Sequence, residues 1–479
     1  MSWTTPNIDK LASEGVNLNN YFTSYLCTPT RGALLTGRYP IRLGLAEAGD
    51  GAELPLSEIT LAQELKSAGY NTYMVGKWHL GFSTIGHTPA ERGFDSSYTY
   101  WNGFVDYWTK ESSDYLDLHD GNDLVTDESE ISAELHNGYL MATKAEDAIK
   151  DHVENHADEP MFLYYAMQLI HGVWSAPDVF KERCGTPSLI DGMEPDDYTR
   201  NVTYEYCALN LMLDEAIGNL TCALETYGMA KNTVLVVVSD NGGEQSVPGN
   251  SLPFIGSKGS YFRGGLSATG LVHSQLLPKR ARGTSYDGQM HVTDWLPTLM
   301  GLATDNQWTG SLVGAELDGV DQWAALTTPG STSPRSEIVH YHNGSTVSSI
   351  QIDMIKLNQG DVLKPAGVLQ FNFQEDLFPE LAATSCENPS LMDYTTILPI
   401  MLNPLLYQMV QQSYIATKMS ILVLGLMMVY MIVTCFQSRK SKTETEDAQY
   451  LNETVHRNYD SNNQWNEACS LKTGERADI

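Results

Sequence analysis

The chain has 479 residues, 42% of them hydrophobic, which is enough for one large α/β domain and a smaller one. Its 59 acidic residues outnumber 29 basic ones, and a net charge of −30 argues against nucleic acid as a partner, since one polyanion repels another. An anionic substrate would have to be met by a local cationic pocket.

In chain order, the first marked segment is CTPTRGALLTGR, from Cys27 to Arg38. It reads as a helical stretch closed by a turn, with Gly37 supplying the backbone freedom. A helical pattern over Glu58–Ala68 then precedes an apolar run over Tyr70–Val75, and the segment GKWHLG from Gly76 to Gly81 sets Lys77 and His79 at that strand's end. Glu134–His156 precedes a strand at Met161–Met167, which runs on to His171. Asp197–Tyr227 precedes the β-branched run Val234–Val238, followed at once by Asp240, Asn241 and two glycines. The stretch GSKGSYFRGGL from Gly256 to Leu266 carries Lys258, and Asp294 in HVTDWLPTLMGLA reads as a helix-start acid. Helices alternating with strands predict an α/β fold whose sheet, mixed but mainly parallel, is flanked by helices on both faces. Ligands bind such sheets at the carboxyl ends of the strands, where Lys77, His171, Asp240 and Asn241 fall.

Taken singly these residues have ordinary alternatives. Cys27 fits a buried thiol, Lys77 a solvated lysine, His171 a packed bystander, and the Asp-Asn pair a turn. Together they do not, because residues 27–38 match Cys-x-Pro-Ser/Thr-Arg-x-x-x-Leu/Met-Thr-Gly-Arg at every constrained position. That pattern resembles the hallmark of the sulfatase family, and the later segments occur in the family's order. Within the family the chain is similar to arylsulfatase B and its homologues, which remove the 4-sulfate of N-acetylgalactosamine in dermatan and chondroitin sulfates.

The resemblance implies an alkaline phosphatase-like fold and a calcium-dependent sulfuric ester hydrolase. Cys27 would be converted by the formylglycine-generating enzyme to formylglycine (3-oxoalanine), whose hydrated aldehyde is the nucleophile. Arg31 and His79 would activate and hold it, Lys77 and Lys258 would neutralise the sulfate, and His171 would contact substrate and protonate the leaving oxygen. Asp240, Asn241 and the converted Cys27 would bind Ca2+. Three departures stand against the family pattern. Arg263 replaces a glutamate, Val173 replaces a proline while Pro177 keeps the next one, and the opening strand with its paired aspartates does not precede Thr5-Pro6-Asn7. Half the calcium carboxylates are thus expected to be absent and binding to be feeble, with an authentic start upstream of Met1 favoured over an impaired isoform. Residues 1–20 contain no signal-peptide core.

The expected organisation is a catalytic domain over 1–305, a smaller α+β region over 306–385, a juxtamembrane linker over 386–418, a transmembrane helix over 419–436 and a disordered cytoplasmic tail over 437–479. The uncharged run 419–436 spans roughly 27 Å as a helix, and Arg439, Lys440 and Lys442 mark its cytoplasmic side. This places the catalytic domain in the secretory pathway, on a lysosomal or cell-surface membrane, with sequons at Asn201, Asn219 and Asn343 on the luminal side. Cys184, Cys207, Cys222 and Cys386 allow up to two disulfides, although Cys207 and Cys222, about 22 Å apart on one helix, cannot pair with each other. Sulfated glycans or small sulfate esters are the implied substrates. Two other readings are a membrane-anchored protein that binds sulfated glycans without turnover, and a phosphatase of the wider superfamily, in which serine or threonine stands at the Cys27 position.

Overall fold

The computed structural model describes residues 4–370, apart from 47–50, 185–196, 245–248, 250, 252, 311, 313, 343–347, 353–354 and 360–368. Its centre is a trio of parallel strands in the order Ser96–Tyr100, Asn71–Lys77, Met161–Ala166. Side chains on a strand alternate between faces, and each face here meets its own helices. Met74 and Tyr164 pack with Leu61, Leu65, Leu296 and Met300, whereas Val75 and Tyr165 pack with Leu140, Ala145, Ile149 and Leu220. The helices Leu61–Ser67 and Trp295–Ala303 therefore cover one face, and Asn137–Asn155 with Asp197–Thr226 the other.

Caps fix where these helices begin. Thr60 accepts from the Gln63 amide while the Gln63 side chain accepts from the Thr60 amide, so the helix expected from Glu58 starts at Leu61. His136 caps the helix Asn137–Asn155 by accepting from the Gly138 amide.

The sheets are mixed, as expected of the fold, but the strands are divided between separate sheets rather than lying in one. Val234–Val238 is the edge of a second sheet, in the order Val234–Val238, Gly270–Ser274, Val16–Leu18, Thr284–Tyr286, whose first two pairings are antiparallel and whose third is parallel. Hydrophobic periodicity identifies strands but carries no information about which strand lies beside which. Among the described residues, Met161–Ala166 and Val234–Val238 are both edge strands, and Leu163, Tyr165 and Leu235 pack against one common cluster.

The described residues form one compact unit. It includes an antiparallel sheet of Glu337–His342, Ser348–Ile352, Ile355–Gln359 and Leu369–Gln370. Asp294 does more than start a helix. Its carboxylate, fully buried, accepts from the His291 amide and pairs with Arg335, which joins this sheet to the helix Trp295–Ala303. Cys184 is bonded to Cys207, and Cys222 is disulfide-bonded as well. No helix among the described residues is long and apolar enough to cross a membrane. The run 419–436, the segments 386–418 and 437–479, Asn343 and Cys386 lie outside the described residues.

Candidate active site

Residues 27–36 form the helix Cys27–Thr36, with Cys27 in its first turn and Gly37 ending it at φ 67°, where the Gly37 amide donates to the Ala33 carbonyl. The Cys27 thiol thus sits at the positive end of a helix. It donates to Asn241 Oδ1 at 3.4 Å and hydrogen-bonds Lys77. Arg31 lies one turn further along the same face.

The Arg31 guanidinium ties the ends of two strands to the interior of a third. Nη2 donates to Asp240 Oδ2 at 3.0 Å, and Nη1 donates to the Lys77 carbonyl at 2.9 Å and to the Tyr164 hydroxyl at 3.4 Å. Burial opposes its charge, but the Tyr164 phenol and Asp240 keep it firmly protonated. Burial would likewise raise Asp240, yet Arg31 and Lys77 hold its carboxyl well below the usual carboxylate range. Lys77, only 2% exposed, is shifted down by burial, an effect the neighbouring Cys27 opposes.

His79 takes the left-handed conformation at φ 56°, which a non-glycine residue adopts at a cost of order 1–3 kcal/mol. Its amide donates to the Trp101 carbonyl at 3.1 Å, and its buried Nδ1 meets no hydrogen-bond partner among the described residues. Burial, then Lys77 and Arg31, push it down to about 3, so the ring is neutral. His171 pairs with Lys258, whose Nζ donates to His171 Nε2 at 3.2 Å, while Nδ1 faces the Gly172 carbonyl. Burial and then Lys258 push His171 down to about 4. The Lys258 loop is held by its amide donating to the Gly243 carbonyl and by the Gly259 amide donating to the Tyr25 carbonyl, both at 2.9 Å.

The structure therefore brings Cys27, Arg31, Lys77, Asp240 and Asn241 into direct contact, with His79 against the two cations and the His171–Lys258 pair alongside. Arg263 is elsewhere: its guanidinium lies 4.2 Å from the centre of the Phe254 ring and donates to Asn20 Oδ1. Two residues at the site escaped the sequence reading. Tyr164 contacts Arg31, and Tyr100, fully buried with no partner for its hydroxyl among the described residues, lies within electrostatic reach of Arg31 and Cys27. Strand alternation could have flagged Tyr164, because Tyr165 points to the opposite face.

The carboxylate of Asp240 and the amide oxygen of Asn241 suit a hard dication in kind, although calcium normally gathers six to eight oxygens. Among the described residues no three His, Cys, Asp or Glu side chains converge on one point, and Arg31 already engages one Asp240 oxygen.

The family model described as Sulfatase matches residues 2–305. Arylsulfatase J of Mus musculus is 37% identical over 346 residues, covering 70% of this chain and 54% of that protein. Arylsulfatase A of Homo sapiens is 30% identical over 365 residues, covering 71% and 66% respectively. The chain thus spans between about half and two thirds of these relatives' length. Among solved structures, that of Ps i-CgsB in complex with k-i-k-neocarrahexaose shares 23% identity at a TM-score of 0.64, covering 78% of this chain and 81% of that one. PsFucS1 sulfatase from Pseudoalteromonas sp. shares 22% at 0.55, covering 77% and 76%. At these identities the structures speak for the fold.

Proposed function

The chain belongs to the sulfatase family, and we propose that its pocket around Cys27 hydrolyses sulfate esters of sugars. The observation that carries this reading is the convergence of Cys27, Arg31, Lys77, Asp240 and Asn241 at the positive end of one helix and the ends of two strands. A sulfuryl group in transfer, five-coordinate at sulfur with negative charge on its oxygens, needs fixed positive charge around it, and Lys77, Lys258 and the helix terminus provide it without reorganisation.

Position 27 fits conversion to formylglycine, which would supply a hydrated aldehyde with one hydroxyl to attack sulfur and a second to release sulfate. The chain's own residues do the rest. Arg31 holds Asp240 and the Lys77 strand end in register. His79, neutral and with an unused Nδ1, can exchange a hydrogen bond with the hydroxyls at position 27. Lys77 and Lys258 hold the sulfate oxygens. The His171–Lys258 pair shares a proton on Nζ facing Nε2, and a sulfate drawn to Lys258 would relieve the charge that depresses His171, letting the pair protonate the leaving oxygen. Asp240 and Asn241 would hold a calcium ion, which would add positive charge beside position 27. The arylsulfatase B resemblance makes N-acetylgalactosamine 4-sulfate the first sugar to test. Secretory-pathway maturation and anchoring through 419–436 belong to the same proposal.

The test is turnover of an aryl sulfate by secreted protein, with C27A as control. Activity that C27A abolishes supports the proposal, and equal activity in both overturns it. A second reading, glycan binding without turnover, is favoured by the two oxygen donors that the described residues offer a dication. A calcium titration of the same assay separates the two: turnover that rises with calcium supports the enzyme, and glycan binding with no turnover at any calcium concentration supports the binder.

A further inference from the structure

We propose that Phe104 is the platform for the ring of the leaving group, and so determines that this site prefers cyclic and aromatic sulfate esters over small acyclic ones. This rests on reading the pocket as a sulfate-ester site with His171 on the leaving-group side.

The loop that carries Phe104 leaves the carboxyl end of Ser96–Tyr100 and is clamped on both sides. Before it, the Asp117 carboxylate accepts from the amides of Trp101 and Asn102 and from Asn102 Nδ2, each at 2.9 Å. The Trp101 ring lies flat on His119, with centroids 3.6 Å apart and planes 4° from parallel. After it, Asp106 accepts from the amides of Trp108 and Thr109, and the fully buried Lys110 ammonium donates to the carbonyls of Trp108, Ser132 and Leu135. Between the clamps, Gly103 is pressed on one catalytic candidate: a Cβ there would lie 2.9 Å from His79 Cε1 and 3.0 Å from Nε2. Phe104 covers the other, with its ring stacked on His171 at 5.5 Å and 16°.

A phenylalanine on so fixed a loop could have been buried, as its neighbour Val105 is, yet Phe104 is 43% exposed. The pocket is thereby divided by chemistry. Lys77 and Lys258 make one side cationic, and the Phe104 ring makes the rim beyond His171 flat and apolar. A sulfate ester has the same division, an anionic head joined through one oxygen to a body whose ring faces are apolar. With the bridging oxygen at His171, an attached ring meets Phe104. Stacking on a flat apolar face is the interaction aromatic side chains offer best, and an acyclic alcohol offers no such face.

The experiment compares wild type with F104A, F104L and F104Y in secreted protein. For an aryl sulfate, F104A is expected to raise KM roughly three- to tenfold, the range that one aromatic contact converts to, with kcat changed less and the inhibition constant of inorganic sulfate unchanged. F104Y should retain the wild-type KM, and F104L should fall between. An unchanged KM in F104A, or a sulfate inhibition constant that weakens as much as KM, overturns the proposal, the latter by showing that the whole pocket had collapsed. If wild type shows no turnover, the sulfatase reading is what fails, and calorimetry with benzenesulfonate and methanesulfonate still decides the role of Phe104. A wild-type preference for benzenesulfonate that F104A removes supports it; equal affinities in wild type, or a preference that survives in F104A, overturn it.

Discussion

Arg31 shows why a single side chain can decide whether a pocket exists. Its planar fork reaches Asp240, the Lys77 carbonyl and the Tyr164 hydroxyl at once, and an ammonium on a flexible stem cannot reproduce three directed contacts. R31K is therefore expected to lower kcat/KM for an aryl sulfate by about 100-fold, the scale at which misplaced electrostatic groups cost activity. Steady-state kinetics of R31K checks this, and a loss under threefold would remove Arg31 from the centre of the account. Arg31 could be singled out in the sequence because the motif fixes its spacing from Cys27. Gly103 and Phe104 could not, since they belong to no motif and gain meaning only from the rings they touch.

At the scale of elements, the joint between the helix Trp295–Ala303 and the antiparallel sheet depends on one buried pair. Asp294 is 0% and Arg335 4% exposed, and Arg335 also donates to Tyr39 and to the Asp318 and Glu337 carbonyls. R335A would leave Asp294 charged and unpaired in the interior, and should cost roughly 3–5 kcal/mol in chemical denaturation. R335M, which keeps most of the buried volume, should cost less than R335A; equal, small effects of both would contradict the assignment. The sequence pointed to Asp294 as a helix-start acid but held no sign of Arg335, which lies 41 residues away and is brought in by the fold.

His136 gives this scale a pH dependence. Its Nδ1 accepts from the Gly138 amide, and Nε2 then donates to the Ser175 carbonyl, an arrangement only the neutral ring can make. Burial pushes it down to about 4. The native state thus releases a proton that the unfolded chain still binds between about pH 4 and an unfolded value near 6.5. The contribution is fully present above the unfolded value and is lost as pH falls through the folded one, at most roughly 3 kcal/mol. Unfolding free energies measured from pH 4 to 7 should rise more steeply in wild type than in H136N, and parallel curves would contradict this.

For the whole molecule, a net charge of −30 accompanies a pocket that carries Arg31, Lys77 and Lys258. Repulsion of a polysulfated chain acts at long range, while Lys77 and Lys258 act at contact. Salt at about 0.1 M screens beyond roughly 10 Å and so weakens the first more than the second. Raising ionic strength should therefore increase kcat/KM for a sulfated polysaccharide relative to a small aryl sulfate, and a decrease in that ratio would contradict the argument. The helices and strands of the catalytic region were legible because 3.6- and 2-residue periods report burial directly, and the predicted Val234–Val238 matches the observed strand. Sheet order was not legible, since the partners of Val234–Val238 are set by packing between segments distant in sequence.

The chemistry of the pocket turns on what position 27 becomes. The most direct measurement is mass spectrometry of the Cys27 peptide from protein secreted by a host that performs this maturation. The expected species is an aldehyde, or its hydrate, in place of the thiol. A peptide recovered wholly as unmodified cysteine would contradict it.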